Sequence, residues 1–312
     1  MRSEVFYSLI VPHYNQPQLL ERLLDSLPQR DDLQVVVADD GSDAGCVEQL
    51  QALGAKFPAV EWVMLPTNRG GGAARNAALG VAKGEFVFFA DADDYFCTDA
   101  LDALLNEKER WAGADLIFFN AQSLDDKTGE PSWRADRLNW MMNQPEGERE
   151  RQLRYLHSEP WCKWIRRELV ERNAIRFDET RIMNDVRFSY LVGHHARQVL
   201  VEKTVCYCVC NRQQSVGKKM TAGRKRDYTK VMAETNHFFT VHGLPYCYKR
   251  AYRPLVFSIL KGEWHDARMC AAELRRVGES AFSIAVNVCL YPFWLAKWVG
   301  EKRKFRQQRI TS

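Results

Sequence analysis

Short apolar runs alternate along the first part of the chain with segments of helical spacing. Val5 to Val11, Leu33 to Ala38, Trp62 to Leu65, Phe86 to Ala90 and Leu116 to Phe119 are short and rich in β-branched and aromatic residues, which predicts buried strands. Between them, Gln18 to Leu27, Cys46 to Lys56, Ala73 to Val81 and Asp99 to Trp111 have helical length and spacing. This order predicts an α/β fold: a mostly parallel sheet flanked by helices on both faces, with right-handed connections.

From about Ser123 to Arg149 the periodicity dissolves into Asp, Gly, Pro, Trp and Arg, which predicts a long surface excursion between two structural parts. Beyond it, Arg149 to His157 and Trp161 to Arg172 read as helical, Gln198 to Cys210 as a strand or strand pair, and helices dominate from Tyr228 onward. The expected regions are therefore 1–122, 123–225 and a helical extension, 226–312. Ala281 to Val299 is apolar except for Ser283, Asn287, Tyr291 and Lys297, which gather on one side of a helix that Pro292 should bend. Trp294, Trp298 and the run Lys302 to Arg306 fit a helix lying in the inner leaflet's headgroup region, drawn to anionic lipid. A core helix with a solvated basic tail explains the same pattern, and a spanning helix fits worse because the run is interrupted and barely long enough.

Composition narrows the class. A net charge of +4 is too small to imply nucleic-acid binding, and the basic excess is local, in Lys218 to Lys230 and Lys302 to Arg309. Nine scattered cysteines make no disulfide framework and fit a reducing compartment. Met1 to Ile10 has no secretory pattern, so a cytoplasmic location is expected, peripheral on the inner face of the cytoplasmic membrane if the last helix binds lipid. Cys206, Cys208 and Cys210 alternate as a strand would, which favours small buried hydrophobes over a zinc site. His157, His194 and His195 have no sustained ligand spacing and read as structural or surface residues.

Ligands of open α/β sheets sit beyond the C-terminal strand ends, and the residues there are unusually polar. Pro12-His13-Tyr14-Asn15 follows the first strand, Asp39-Asp40-Gly41-Ser42-Asp43 the second, Asn68 to Gly72 the third and Asp91-Ala92-Asp93-Asp94 the fourth. Tyr14 suits stacking on a base, and Asp40 suits accepting from a base imide or ribose hydroxyl. The plain alternative for the second loop is helix capping. Gly70 to Gly72 entering a helix can receive phosphate oxygens or simply make a tight turn, and Arg75 can pair with a phosphate or with carboxylates opposite. Asp91, Asp93 and Asp94 repel one another unless neutralised, which suits Mg2+ or Mn2+ bridged by a diphosphate, against the alternative of a solvated acidic turn.

Ser8 to Asn15, Asp39 to Ser42, Asn68 to Asn76 and Asp91 to Asp94 together resemble family-2 glycosyltransferases with the GT-A, Rossmann-like fold, over roughly the first 120 residues. The resemblance implies an inverting, hexosyltransferase-like enzyme of the bacterial polysaccharide and lipopolysaccharide type. It would take a nucleotide-sugar donor, probable class UDP-sugar, and a glycan or lipid-linked acceptor. It makes 1–122 the donor half and 123–225 the acceptor and catalytic-base half. It assigns Pro12, Tyr14 and Asp40 to the nucleoside side, Asn68 and Arg75 to the donor site, and Asp91 with Asp93 to the metal and diphosphate. The family's later acidic pair corresponds to Asn184-Asp185, where Asp185 is the base candidate and Asn184 departs from the pattern. Glu159 to Arg167 also looks like a family segment near the active site, where Lys163 could hold phosphate or acceptor and Trp161 or Trp164 could offer a face to a sugar; an amphipathic core helix explains these residues as well. A sugar nucleotidyltransferase or a dinucleotide oxidoreductase is disfavoured because no Gly-rich loop follows the first strand. A carbohydrate-binding scaffold on a degenerate fold of this kind is the alternative of a different class.

Overall fold

The computed structural model describes residues 5–212, 220–245 and 249–311, and the side chains of the last helix as far as 296. Lys218, Cys247 and the side chains of Trp298 and of Lys302 to Arg306 thus lie outside what the structure describes. The chain forms two compact units, 1–180 with 184–215, and 181–183 with 216–312.

The first unit runs β1 (Tyr7–His13), α1 (Pro17–Asp25), β2 (Leu33–Asp39), α2 (Ala44–Lys56), β3 (Val60–Met64), α3 (Gly71–Leu79), β4 (Phe86–Phe89), β5 (Tyr95–Phe96), α4 (Thr98–Leu105), α5 (Lys108–Trp111), β6 (Leu116–Asp125), α6 (Asp136–Met142), α7 (Glu146–Leu156), β7 (Lys163–Arg166), α8 (Arg167–Arg172), α9 (Val186–His195) and β8 (Val199–Asn211). Its strands lie in the order β3-β2-β1-β4-β7-β6-β8-β5. β1 pairs in parallel with β2 and β4, and β2 with β3, so Leu9 stands beside Val35 on one side and Phe88 on the other. The predicted strands read as continuous apolar runs because both faces of a helix-covered parallel sheet are buried. β1 is buried at every position but Pro12, and β4 at every position.

Three sequence expectations need correction. The segment from Trp161 to Arg172 is not one helix: β7 runs antiparallel between β4 and β6, and the chain turns into helix only at Arg167. The packing of Trp164 among Tyr7, Phe88, Trp111 and Phe119 fixes it as a strand in the core. The stretch 123–149 is not structureless, because β6 continues through Asp125 and α6 buries Leu138, Met141 and Met142. Asp99 to Trp111 is two helices, separated at Asn106 and Glu107.

The second unit holds α10 (Ala222–Val241), a turn of 3-10 helix at Lys249–Tyr252, α11 (Arg253–Leu260), α12 (Trp264–Arg276) and α13 (Ala281–Thr311). Thr221 caps α10 by accepting from the Arg224 N–H. Lys225 ties α10 to Glu263 and to Asp266, the latter at 2.8 Å, over a core that includes Met232, Phe239, Leu255 and Leu274. Among the described residues, no helix is long and apolar enough to cross a membrane.

Candidate active site

The four polar loops converge at one edge because parallel strands end together, and the side chains lock each loop to the next. After β1, Asn15 takes a left-handed φ of 52°. Its side chain exchanges two 2.9 Å hydrogen bonds with Asp43, and its N–H donates to Ser42 Oγ. Asp39 is a brace: it accepts from the Ser42 N–H and hydroxyl and from His13 Nδ1 at 2.8 Å. Since His13 Nε2 accepts from the Gln16 N–H, the imidazole proton sits on Nδ1. Tyr14 is 45% exposed, Pro12 half-buried and Asn68 exposed, so all three face solvent at this rim.

Asp40 is buried, and its two oxygens accept from the Arg69 and Gly70 N–H groups at 2.8 and 2.7 Å. Its carboxylate thus shapes the glycine loop, and each oxygen retains a lone pair for a ligand. Gly41 must be glycine: its φ is +69°, and a Cβ would stand 2.5 Å from the Thr67 carbonyl carbon. Gly70 supplies the other positive φ, +92°, at the entry to α3. A Cβ on Gly72 would lie 2.1 Å from the Asp178 carbonyl oxygen. The close approach that the glycines permit is therefore made by the protein's own segment 177–185. Asn76 fastens that segment by two hydrogen bonds with the Phe177 backbone, both 2.9 Å.

Arg75 is buried and bridges two loops, giving Nη2 to Asp91 Oδ1 at 2.6 Å and Nη1 to Asn184 Oδ1 at 3.1 Å. The Phe177 ring lies under its guanidinium, 5.4 Å away, and stacks on Phe188. The acidic loop has two kinds of carboxylate. Asp94 is buried, accepting from the Tyr207 hydroxyl and the Cys210 N–H, both at 2.7 Å, while Tyr207 Oη also accepts from the Asp91 N–H. Asp91 and Asp93 keep partly exposed side chains. Carboxylate oxygens of Asp91, Asp93 and Asp94 fall within 4.8 Å of one another, the sole such group of potential metal ligands among the described residues. Burial and then the Asp91 charge push the Asp93 pKa up. Asp94 is buried and already holds one donor on each oxygen, so Asp91 and Asp93 are the more accessible members of an all-oxygen, charge-strained group that fits a hard divalent cation such as Mg2+ or Mn2+.

Asp185 precedes α9 beside Asn184. Loss of surrounding water raises its pKa to about 6; Arg75 opposes the rise, and Glu159 and Asp91 add to it. Lys163 is buried in β7 and donates to the His157 carbonyl at 2.6 Å; burial lowers its pKa to about 7. Buried His157 also pairs with Glu159, at 3.2 Å, and its pKa is lowered chiefly by burial. The idea that Trp161 or Trp164 offers a ring to a sugar is corrected: Trp161 is 3% exposed and stacks on Tyr207, and Trp164 is 2% exposed. Cys206, Cys208 and Cys210 are buried and belong to no metal-ligand group.

Sequence reasoning missed Tyr207, Phe177 and Arg22. Arg22 donates to the Asp93 carbonyl at 2.5 Å and to Asp126 at 2.6 Å, from a helix that carried no visible motif. Arg212 adds an ion pair to Asp126 at 3.6 Å.

The pattern described as Glycosyl transferase family 2 matches residues 8–173, just over half of the chain. The uncharacterized glycosyltransferase EpsJ of Bacillus subtilis is 31% identical over 191 residues, 58% of this chain and 52% of that protein. The poly(ribitol-phosphate) beta-glucosyltransferase of Bacillus spizizenii is 35% identical over 99 residues, 30% of this chain and 16% of that protein. The chain thus spans about half, or less, of the length of these relatives. Staphylococcus aureus TarS 1–349 in complex with UDP-GlcNAc superposes with a TM-score of 0.59 at 19% identity, covering 87% of this chain and 92% of that one. The mannosyltransferase PcManGT from Pyrobaculum calidifontis, in complex with GDP-Man and Mn2+, gives 0.54 at 18% identity over 97% of this chain and 82% of that one. At these identities the likeness shows the fold, which is GT-A.

Proposed function

The chain belongs to glycosyl transferase family 2, and from that premise we propose that it is an inverting, metal-dependent hexosyltransferase using a UDP-sugar. Its acceptor is a glycan or lipid-linked hydroxyl in cell-surface polysaccharide or lipopolysaccharide assembly, and its place is the inner face of the cytoplasmic membrane. The donor class is supported by the UDP-GlcNAc in the TarS complex. One observation carries the reading: Arg75 joins Asp91 of the acidic loop to Asn184, the neighbour of the base candidate Asp185, so donor and base sides meet at one buried guanidinium.

Tyr14 and Pro12 line the nucleoside end, where the exposed Tyr14 ring stacks on the base and Asp40 uses its remaining lone pairs, and Asn68 lies on the donor side. Asp91 and Asp93 would hold Mn2+ or Mg2+, which supplies neutralising charge for the departing nucleoside diphosphate. Arg75 keeps Asp91 oriented. Asp185 accepts the proton of the acceptor hydroxyl as its oxygen bonds to the sugar C1 and the C1–O bond to the diphosphate breaks on the opposite face, inverting the centre. A pKa of about 6 leaves this base ionised at neutral pH yet stronger than an ordinary carboxylate. Lys163, satisfied by a backbone carbonyl and with its pKa lowered to about 7, bears on phosphate or acceptor only through its charged fraction.

Thermal unfolding with nucleoside diphosphates and nucleotide sugars, with and without Mn2+, tests the reading. A Mn2+-dependent rise in Tm with uridine nucleotides that disappears in Asp93→Ala is expected. No shift with any nucleotide, together with tight glycan binding, would replace it with the scaffold reading.

A further inference from the structure

One side of α13 is apolar and uncovered. Phe282 is 79% exposed, Phe293 64%, Leu290 44% and Val286 38%. At about 100° per residue these four, with exposed Cys289 and Ala296, fall within an arc of about 120°. The opposite side is anchored within its own unit: Ile284 and Tyr291 are buried. Between the two sides, Asn287 donates to the Ser283 carbonyl at 3.0 Å and Ser283 to Glu279 at 3.1 Å, so the polar groups are turned off the apolar side. Large exposed apolar side chains gathered on one side of an anchored helix mark an interaction surface.

The sequence that follows names the occupant. Positions 297–309 carry Lys297, Lys302, Arg303, Lys304, Arg306 and Arg309 against the single acid Glu301. Lysine is depleted at protein–protein interfaces, whereas an apolar stripe continued by a dense basic run suits a surface that is oily inside and anionic outside. The same helix is too interrupted to span a bilayer.

We propose that α13 is an in-plane membrane anchor, seating Phe282, Val286, Leu290 and Phe293 in the acyl boundary of an anionic lipid surface, with the basic run over the headgroups. Its purpose rests on the lipid-linked-acceptor reading above; its evidence does not, since it comes from the exposure of the stripe and the sequence that follows it. Pro292 lies inside the helix beside the stripe, about 40° beyond its edge at 100° per residue.

The test is co-sedimentation of the full chain with phosphatidylcholine vesicles, with and without phosphatidylglycerol. Wild type is expected to pellet with the anionic vesicles, less so as salt is raised. A Phe282→Ser, Leu290→Ser, Phe293→Ser variant should bind at least about tenfold more weakly, because each change removes a buried apolar contact. Those side chains are exposed, so the variant should keep the wild-type Tm and uridine-nucleotide shift. Lys302→Gln, Arg303→Gln, Lys304→Gln, Arg306→Gln should lose the preference for phosphatidylglycerol. Wild type remaining in the supernatant with both vesicle types would overturn the proposal, as would equal pelleting by the Ser variant. Self-association in sedimentation velocity that the Ser variant abolishes, without vesicle binding by wild type, would assign the stripe to a second copy instead. Vesicle binding is read without any sugar transfer, so a failed donor assay leaves this result standing, and the reverse.

Discussion

Replacing Asp185 by Asn is expected to remove most of the transfer activity while making the protein harder to unfold at neutral pH. The carboxyl pKa rises from 3.8 to about 6, chiefly because water is excluded from it. A carboxyl whose folded pKa exceeds its unfolded value penalises the fold once ionised. The penalty is absent below about pH 4, grows between pH 4 and 6 and is complete above 6. Two units at 1.36 kcal/mol each set a ceiling of roughly 3 kcal/mol; by surface area Asp185 is half-buried rather than fully enclosed, and screening at its exposed side brings this to about 1–2 kcal/mol. Asn keeps the shape without the charge, so Asp185→Asn should raise Tm by about 3–6 °C at pH 8 and leave it unchanged at pH 4. Loss of a general base costs about a hundredfold or more in turnover. Wild-type kcat/KM should fall about tenfold between pH 7 and pH 5, as a single group near pH 6 takes up its proton. Transfer kinetics and thermal unfolding at both pH values test this. A variant that keeps its activity, or gains equal stability at pH 4 and pH 8, refutes the reasoning.

Two further substitutions probe the scaffolding of the site. Tyr207→Phe removes the hydroxyl that donates to Asp94 and accepts from the Asp91 N–H. It should cost about 1–3 kcal/mol in urea unfolding and raise the Mn2+ concentration needed for the nucleotide-dependent Tm shift. Gly72→Ala would place a methyl 2.1 Å from the Asp178 carbonyl oxygen, forcing segment 177–185 off α3 at about 1–3 kcal/mol and weakening donor binding. Gly45→Ala, whose added methyl meets nothing within 4 Å, is the control and should stabilise slightly.

The four polar loops were legible because buried parallel strands read as apolar runs and each run ends in a polar loop at the same edge of the sheet. β7 was not. In Trp161-Cys162-Lys163-Trp164-Ile165 the tryptophans fall at helical spacing, and a lysine within a strand argues against burial. What rescues Lys163 is a backbone carbonyl, that of His157, which no side-chain pattern reports. Leu138, Met141 and Met142 do carry helical spacing, but one short apolar stripe was lost among the polar residues on either side of it. The fastening of segment 177–185 had no local signal either, since Asn76 and Phe177 are separated by 101 positions. The glycines hinted that something approaches closely; only the fold identifies it as chain.

Asn184, the one departure from the family's acidic pair, makes physical sense in its place. Arg75 needs two acceptors, and Asp91 already supplies one with a full charge. Asn184 supplies the second through a neutral amide oxygen. An acid there would add a negative charge next to Asp185, whose pKa Glu159 and Asp91 already push upward. Glu159 itself stays ionised, its pKa lowered by His157 against the effect of burial, so that repulsion persists at working pH. One more carboxylate there would raise the Asp185 pKa further. An amide keeps the geometry of the arginine bridge without that added charge, which is compatible with the proposed role of Asp185.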